Sequence, residues 1–193
     1  MSTVTDAPNG VNQRIGANVR ALRAEQGLTL SELAAASGVS RSGLSLIERA
    51  ESSPTASILE RIATALAVPL ESLFKLRGEE PRPLVRRADQ PVWRDPGSGY
   101  LRRSVSPIDA ASPIEIIEVT FPAEARVTFE NGNRSRVTRQ WLWVLEGTIE
   151  FTLGAATERL ATGDCFAMQL DQPTSFHNPT HRSARYAVIL ASR

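Results

Sequence analysis

Two arginines lie two residues apart in the stretch NRSRVTRQWLWVLEG, residues 133–147, just before an apolar run of strand character. Guanidinium groups bind carboxylate and phosphate oxygens through paired hydrogen bonds, so Arg134 and Arg136 would suit an anionic small molecule. An equally good interpretation makes them solvated loop arginines beside the turn pair Asn131-Gly132. Arginine stays protonated and does not coordinate a divalent cation, so these two positions do not indicate a metal site.

A second group of reactive side chains lies in SRSGLSLIERA, residues 40–50. Ser40 can cap a short helix in which Leu44 and Ile47 face inward. The outward positions of that helix are Arg41, Ser42 and Ser45. Exposed arginine and hydroxyl side chains at a helix start could contact an anionic partner, and the alternative for Arg41 is a solvated surface arginine.

Bulk composition limits the class of protein. The formal net charge of +1 over 193 residues shows no overall basicity, so any nucleic-acid contact must come from local arrangement. A single cysteine excludes an intrachain disulfide, and no apolar run approaches the roughly 20 residues of a membrane span. Residues 1–10 lack the features of a signal peptide. We therefore expect a cytoplasmic protein with no membrane partner.

Hydrophobic periodicity changes near residue 78, from helical spacing to strand alternation. Residues 77–83 combine a glycine, charges and two prolines, which disfavour helix. The pattern predicts a flexible arm over residues 1–10, a helical domain over 11–77, a linker over 78–90 and an all-β domain over 91–193.

Five short helices are predicted in the first domain. The first spans residues 11–26, and the second starts with a capping box of Thr29 and Glu32. The others begin after Ser40, after Thr55 and within ESLFKL, residues 71–76. Glycine in the turn Ser37-Gly38-Val39 fits a helix-turn-helix unit.

The string LTLSELAAASGVSRSGLSLIERAESSPTASILERIATALAV, residues 28–68, makes residues 11–74 resemble the lambda-repressor-like DNA-binding domains of the XRE regulator class. The resemblance implies that the third helix enters the major groove, where Arg41 could bridge O6 and N7 of a guanine. The candidate contacts to bases and phosphates are Thr29, Leu30, Ser31, Ser40, Arg41, Ser42, Ser45 and Arg49.

Three further positions follow from the same resemblance. Leu30 stands where related domains often carry glutamine, so one contact to DNA is in doubt. Arg23 and Glu48 stand where related domains pair an arginine with a glutamate, which would lock the third helix in place. Gly43 is explained equally well by close approach to DNA and by simple tolerance.

The helical half carries eight Lys or Arg against seven Asp or Glu over residues 1–77. A DNA-binding domain with so little net charge would gain affinity by binding two half-sites as a dimer. A homodimer on double-stranded DNA with a palindromic operator is therefore the expected assembly.

The second half contains eight strand-like runs between residues 92 and 191, with a short ninth at TSFH, residues 174–177. The run VLEGTIEFTLG followed by LATGDCFAM and FHNPT resembles the cupins. The resemblance implies a jelly-roll barrel. The fold class is thus two domains, an all-α lambda-repressor-like helix-turn-helix domain and an all-β cupin jelly-roll barrel.

Metal-binding cupins carry ligands at four positions, and aligning on Gly147 and Gly163 places Arg134, Arg136, Gln140 and Thr174 there. None of these is an expected ligand. The resemblance therefore implies a barrel with no metal, no cofactor and no catalytic residue. His177 and His181 lie later in the chain, and a metal role for them is disfavoured.

Alternation along the strand at 140–145 puts Gln140, Leu142 and Val144 on one face. Trp141 and Trp143 then point out of the barrel and suit a dimer interface, although the reverse assignment stays open. Candidate effector-pocket residues are Arg134, Arg136, Gln140, Leu142, Met168 and Thr174. Cys165, directly after a turn, is expected in the core.

Together these features predict a transcriptional regulator that reads DNA through its first domain and binds a small-molecule effector in its second. One alternative is a metal-dependent cupin enzyme fused to a DNA-binding domain. Another is an antitoxin-like regulator whose helices contact protein. The sequence leaves open the effector, the operator sequence, the target genes and the direction of regulation.

Overall fold

The computed structural model describes residues 8–75, 83–107, 112–130 and 138–192, with helices in the first part of the chain and strands in the second. Two short 3₁₀ segments, Leu70–Leu73 and Arg87–Asp89, follow the helices. The helices are α1 (Pro8–Glu25), α2 (Leu30–Ser37), α3 (Arg41–Glu48) and α4 (Ala56–Ala65).

Side-chain caps set the start of three of these helices. Thr29, Ser40 and Thr55 each accept a hydrogen bond from a backbone N–H in the first turn of α2, α3 and α4, which satisfies a donor that the helix itself cannot pair. Gly38 ends α2 with φ of 64°, a left-handed conformation that glycine adopts without strain. The apolar residues spaced along the helices form the buried core, with Ile15, Val19, Leu33, Leu44, Leu59 and Ile62 at 0% exposure.

The helical prediction needs two corrections. The expected fifth helix is only the 3₁₀ turn at Leu70–Leu73, and Phe74 after it packs against Trp93 of the β domain as well as its own domain. α1 begins at Pro8 rather than Val11, because proline is favoured in the first turn of a helix. The remainder of the expected arm, residues 1–7, lies outside the described residues, as do residues 76–77 of the expected helical domain and residues 78–82 of the expected linker.

The described residues of the second part of the chain form ten strands. They are β1 (Val92–Arg94), β2 (Leu101–Ser104), β3 (Ile114–Phe121), β4 (Arg126–Phe129), β5 (Thr138–Glu146), β6 (Thr148–Leu153), β7 (Ala156–Ala161), β8 (Cys165–Gln169), β9 (Thr174–His177) and β10 (Ala184–Ser192). All pairings between them are antiparallel.

The strand order identifies the architecture as a jelly roll. One sheet has the order β1-β2-β3-β10-β5-β8 and the other has the order β4-β9-β6-β7. From β3 to β10 each strand lies in the opposite sheet from the strand before it, except that β6 and β7 pair as a hairpin, and this is the jelly-roll pattern. Gly147 makes the turn between β5 and β6 with φ of 84°. A Cβ there would lie 3.1 Å from Ala184, so both conformation and space favour glycine.

Two features of the barrel differ from the prediction. β7 was not predicted, since ATERLA buries only Leu160 and shows no clear apolar alternation; its pairing with β6 creates the strand. Cys165 is exposed rather than in the core. It pairs opposite Trp143 across β8 and β5, and residues opposite one another in a sheet share a face, so Cys165 lies on the outer side with Trp143. The short strand expected at residues 174–177 is present as β9.

The buried side chains of the two domains form one continuous cluster. A chain of ring contacts runs from the helical domain into the barrel, with centroid separations of 5.6 Å for Phe74–Trp93, 5.8 Å for Trp93–Tyr100 and 5.9 Å for Tyr100–Phe121. The buried Asp95 between β1 and β2 accepts a 2.8 Å hydrogen bond from the N–H of Ala56, at the start of α4. The barrel thus caps a helix of the other domain.

No helix in the described ranges has both the length and the apolar character that crossing a membrane requires.

Candidate functional sites: an exposed recognition helix and a shared cavity

The first site is the exposed surface at the start of α2 and α3. Arg41 and Ser42 are exposed in the first turn of α3, and Ser31 is exposed in the first turn of α2. Leu44 and Ile47, on the opposite face of α3, are buried at 0% and 4% exposure. This division leaves the N-terminal turn of α3 available to a partner.

The capping residues of this surface have their hydroxyl groups engaged within the protein. Thr29 and Glu32 form the expected capping box, with the N–H of Thr29 donating to Glu32 Oε2 at 2.7 Å and the N–H of Glu32 donating to Thr29 Oγ1 at 3.2 Å. The N–H and the hydroxyl of Thr29 both donate to the Glu32 carboxylate, and these two bonds lower the pKa of Glu32. Ser40 Oγ accepts from the N–H of Gly43 at 3.1 Å. Any contact of Thr29 or Ser40 with DNA therefore has to share a hydroxyl that already caps a helix.

Gly43 has an internal explanation. A Cβ at this position would lie 3.0 Å from Ser40 Oγ and 3.6 Å from Val39, so a side chain would crowd the cap of α3.

Arg49 and Ser45 are bonded to each other at the end of α3. The guanidinium of Arg49 donates to Ser45 Oγ and forms a two-bond contact with Glu51, at 2.9 and 2.8 Å. The bonds to Glu51 raise the pKa of Arg49. Leu30 is half-buried and packs against the core, so only its backbone N–H could donate a hydrogen bond to DNA. The side chain of Arg41, exposed in the first turn of α3, makes no hydrogen bond or ion pair with any residue that the structure describes.

Arg23 and Glu48 form the predicted scaffold pair. Arg23 Nε and Nη2 donate to the two carboxylate oxygens of Glu48 at 2.6 and 2.9 Å, and these bonds raise the pKa of Arg23. Arg23 Nη1 also donates to the carbonyl of Leu28 at 2.8 Å. The bidentate pair joins α1 to α3, so the expectation that it fixes the third helix is confirmed.

The second site is a cavity at the junction of the two domains, with a volume of about 80 Å³. Its wall is mainly aromatic and aliphatic. The helical domain contributes Glu60, Leu70 and Glu71 to it. The barrel contributes Tyr100, Arg102, Ile117, Val119, Phe121, Val127, Phe129, Gln140, Leu170, Thr174, Phe176, Tyr186 and Val188.

The predicted pocket residues are distributed unevenly around this cavity. Gln140 and Thr174 line it, at 6% and 2% exposure. Leu142 and Met168 are buried in the barrel but are not among the wall residues. Arg134 and Arg136 lie outside the described residues.

Three neutral polar groups of the wall have no side-chain hydrogen bond to any residue that the structure describes. They are the amide of Gln140 and the phenols of Tyr100 and Tyr186, whose residues are 6%, 5% and 4% exposed. Burial raises the pKa of both tyrosines, so the phenols remain protonated and can donate. Buried polar groups normally have a partner, and here the cavity is the place where a partner could sit.

Charged groups at the junction connect the two domains across the cavity. Arg102 of β2, 5% exposed, lies 3.4 Å from Glu71 of the 3₁₀ turn and 3.2 Å from the hydroxyl of Ser104. Its guanidinium also lies 4.2 Å from the centroid of the Phe74 ring. Glu60 of α4 accepts a 2.9 Å hydrogen bond from Thr64. Residues of both α4 and the 3₁₀ turn thus form part of the cavity wall.

The barrel also has an apolar outer surface, on the face of the six-stranded sheet that points away from the cavity. Trp143 is 47% exposed, Ile114 48% and Ile116 40%, and the half-buried Trp141 pairs opposite Ile189. The cavity-facing position of Gln140 and the exposure of Trp143 agree with the alternation predicted for this strand. The reverse assignment, with tryptophans lining the cavity, is wrong.

No three His, Cys, Asp or Glu side chains in the described part of the chain come together as metal ligands. His177 is bonded to Glu150 at 2.9 Å, and both alternate with the cavity-side residues Thr174, Phe176 and Phe151 along β9 and β6. His181 lies 2.9 Å from Glu124 and is almost fully exposed. The donors at the cavity itself are amide, hydroxyl and carboxylate oxygens from separate elements, a set that holds a transition metal poorly.

The fold and the capped helix pair define a helix-turn-helix domain joined to a jelly-roll barrel. Residues 19–73 match the HTH_3 helix-turn-helix family. This match covers the helical domain alone, and the strand order of the second domain is that of a jelly roll.

Curated relatives cover the helix-turn-helix part. The HTH-type transcriptional regulator SutR of Escherichia coli is 47% identical over 60 residues, which are 31% of this chain and 34% of that protein. The HTH-type transcriptional repressor RghR of Bacillus subtilis is 39% identical over 67 residues, 34% of this chain and 50% of that protein. The chain thus spans between a third and a half of the length of these relatives.

Among solved structures, a regulator from Vibrio cholerae matches the chain over both domains. The HTH_3 family transcriptional regulator from Vibrio cholerae superposes with a TM-score of 0.76 at 24% identity, over 96% of this chain and 98% of that one. At this identity the match establishes the shared fold.

Sequence reasoning missed the contribution of the helical domain to the cavity. Glu60, Leu70 and Glu71 come from a part of the sequence assigned wholly to DNA reading. Arg102 offered a signal, because it lies two residues from both Tyr100 and Ser104 and so shares a strand face with them. An arginine on the inner face of a strand needs a specific partner.

Proposed function

We propose that this protein is a sequence-specific DNA-binding transcriptional regulator that acts as a homodimer. The observation that carries the proposal is the exposed first turn of α3, with Arg41 and Ser42 outward, on a helix locked by the Arg23–Glu48 pair. A fixed helix with exposed polar residues at its start is the part of a helix-turn-helix unit that reads the major groove. The reading domain is residues 11–77, joined by linker 78–90 to the barrel at 91–193.

DNA contacts are assigned by chemistry within this surface. Arg41, Ser42 and Ser45 face base edges, and the backbone N–H groups of Leu30 and Ser31 face a phosphate, as helix N-termini do. The remaining candidates are Thr29, Ser40 and Arg49. Because Arg49 is paired with Glu51, its contribution should be smaller than that of Arg41.

Genomic footprinting of the full-length protein, followed by fluorescence anisotropy on the recovered site, tests the proposal. We expect a palindromic motif, and we expect Arg41→Ala to weaken binding by about 1–3 kcal/mol and to relax the preference at one base pair. Arg159→Ala, an exposed arginine on β7, is the matched control and should leave the affinity unchanged. The absence of a shared motif, with Arg41→Ala behaving like the control, would favour an antitoxin-like protein contact instead.

The cavity is proposed as the site of a small-molecule effector, with Gln140 and Thr174 in its wall and no metal. The support is its composition, since an apolar wall with a few converging polar groups is typical of ligand sites. Leu142 and Met168 support the wall from the core, and Arg134 and Arg136 remain proposed contacts for an anion. Stoichiometric iron, manganese or zinc in elemental analysis of the purified protein would contradict this account and favour a cupin enzyme.

The exposed apolar face around Trp143, Ile114 and Ile116 is proposed as the dimer contact. Exposed tryptophan and isoleucine side chains on one sheet face are unusual for a monomer. Trp143→Lys should shift the sedimentation coefficient towards that of the monomer. Leu84→Lys is the matched control, because Leu84 is equally apolar and 59% exposed but lies before β1. Equal sedimentation of both variants and the wild type would contradict this placement.

A further inference from the structure

The chemical class of the ligand can be inferred from Arg102, which is the cation that the described residues contribute to the cavity wall. Its guanidinium is held by long contacts, 3.4 Å to Glu71 and 3.2 Å to Ser104. Charge-assisted bonds between guanidinium and carboxylate groups are usually about 2.7–2.9 Å long. The buried guanidinium would therefore form stronger hydrogen bonds if it donated to a ligand carboxylate at the shorter distance.

The other polar groups of the wall also favour an anion. The phenols of Tyr100 and Tyr186 and the amide of Gln140 can all donate hydrogen bonds, and none of them is used by a described side chain or backbone group. Glu60 is the one other carboxylate of the described wall besides Glu71, and it already accepts a hydrogen bond from Thr64. These donors line the same cavity as Arg102.

The cavity volume limits the size of the ligand. About 80 Å³ is roughly half the volume of an engineered cavity of about 150 Å³ that binds benzene. A ligand of more than a few heavy atoms must push the wall outward. The wall segment that carries Leu70 and Glu71 is a single 3₁₀ turn, whereas most of the remaining wall lies on paired strands and Glu60 lies on α4. We therefore expect this turn to move more easily than the rest of the wall.

Building on the proposed effector function, we propose that the ligand is a small monocarboxylate with a compact apolar body, whose carboxylate replaces that of Glu71 at Arg102. The ligand's apolar part would rest on Phe121, Phe176 and Val188. Two carboxylates at one guanidinium repel each other, so Glu71 and its turn move away from the barrel. Ligand binding would then change the position of the helical domain's 3₁₀ turn by breaking the ion pair between Arg102 and Glu71.

The displaced turn is connected to the DNA-reading helices. The side-chain amide of Asn18 in α1 donates to the carbonyls of Leu73 and Lys75 at 2.9 and 2.8 Å. Movement of the 3₁₀ turn is therefore passed to α1, and α1 is bonded to α3 through Arg23 and Glu48. Ligand exchange at Arg102 would in this way alter the presentation of the recognition helix.

Calorimetric titration of the full-length protein with butyrate, butyramide and butylamine tests the ligand class, since the three probes share their carbon chain and differ in charge. We expect butyrate to bind at least tenfold more tightly than the other two. Arg102→Gln should reduce this preference to about twofold or less, and Arg102→Lys should keep part of it. Glu71→Gln, which removes the competing charge without changing shape, should tighten butyrate binding by threefold or more.

Several results would overturn the proposal. One is a preference for butylamine, which would place an amine between Glu60 and Glu71. Another is a preference for butyrate that survives Arg102→Gln. The third is no binding of any of the three probes. Far-UV circular dichroism of each variant checks that it is folded, and comparing ratios between probes removes a general loss of binding. If butyramide or butylamine binds and alters operator affinity, the effector function stands and the carboxylate class is wrong; if the protein has no operator, the proposed function itself has failed.

Discussion

The recognition surface and the junction cavity are assembled in opposite ways. The candidate DNA contacts fall between residues 29 and 49 and depend on caps only three residues apart, such as Thr29–Glu32 and Ser40–Gly43. The cavity wall draws on residues from Glu60 to Val188, from both domains and both sheets. A site of the first kind is encoded locally, and a site of the second kind exists only when the whole chain is folded.

This difference has a consequence for how the two sites respond to change. Exposed residues such as Arg41 can be altered without loss of core packing, so their effects should appear in binding alone. The junction is held by Trp93, Asp95 and Arg102, which are all at most 5% exposed, so changes there should affect stability and both domains at once.

Trp93→Ala should cost about 3–5 kcal/mol of unfolding free energy, the range for large aromatic residues removed from a core. Its ring contacts Phe74 and Tyr100 on opposite sides of the junction. Urea unfolding should show that the helical signal and the tryptophan fluorescence of the barrel both shift to lower denaturant.

Trp93→Phe is the matched control for that experiment. It keeps an aromatic ring and removes an indole N–H that has no hydrogen-bond partner in the described structure, so the cost should stay below about 1.5 kcal/mol. A loss of less than about 1 kcal/mol in Trp93→Ala, or a barrel transition that does not move, would show that the junction is not part of one cooperative core.

Asp95→Ala should cost about 2 kcal/mol, within the range for hydrogen bonds to a buried charged group. The change removes the 2.8 Å bond from the Ala56 N–H across the junction and the bonds from the N–H and hydroxyl of Ser98. Hydrogen exchange should become faster at the first turn of α4. Asp164→Ala, which removes a 2.8 Å bond from the Ala161 N–H in an exposed hairpin, should leave α4 unchanged; equal exchange at α4 in both variants would rule out the cap from Asp95.

Glu32 should give the smallest effect, because its carboxylate is exposed. Hydrogen bonds from the backbone and hydroxyl of Thr29 lower its pKa, so the capping box contributes above the ordinary pKa of glutamate and is lost as the pH falls through the lower folded value. Titration followed by NMR should place the pKa of Glu32 below the usual range, and Thr29→Val should return it towards that range. A normal pKa in the wild type would contradict the capping box.

The sequence predicted the helical domain and its caps well because the signals are short-range: a capping threonine, a glutamate three residues later and a glycine in the turn. The barrel strands with apolar alternation were also predictable. β7 and Cys165 were not, because their environment depends on edge pairing and on which face is covered. The role of Glu71 and Arg102 could not be predicted, since their pairing depends on how the two domains dock.

The central claim is that the cavity shares a wall with the DNA-reading domain, and operator affinity in a cavity-filled variant tests it most directly. Val188→Phe adds bulk inside the cavity and should press on Leu70 and Glu71, whereas Thr157→Phe adds a ring on the exposed strand β7. Fluorescence anisotropy of the full-length proteins on the recovered operator should show affinity at least threefold weaker for Val188→Phe than for Thr157→Phe or the wild type. Equal affinities for all three proteins would contradict the claim that the cavity and the recognition helix are coupled.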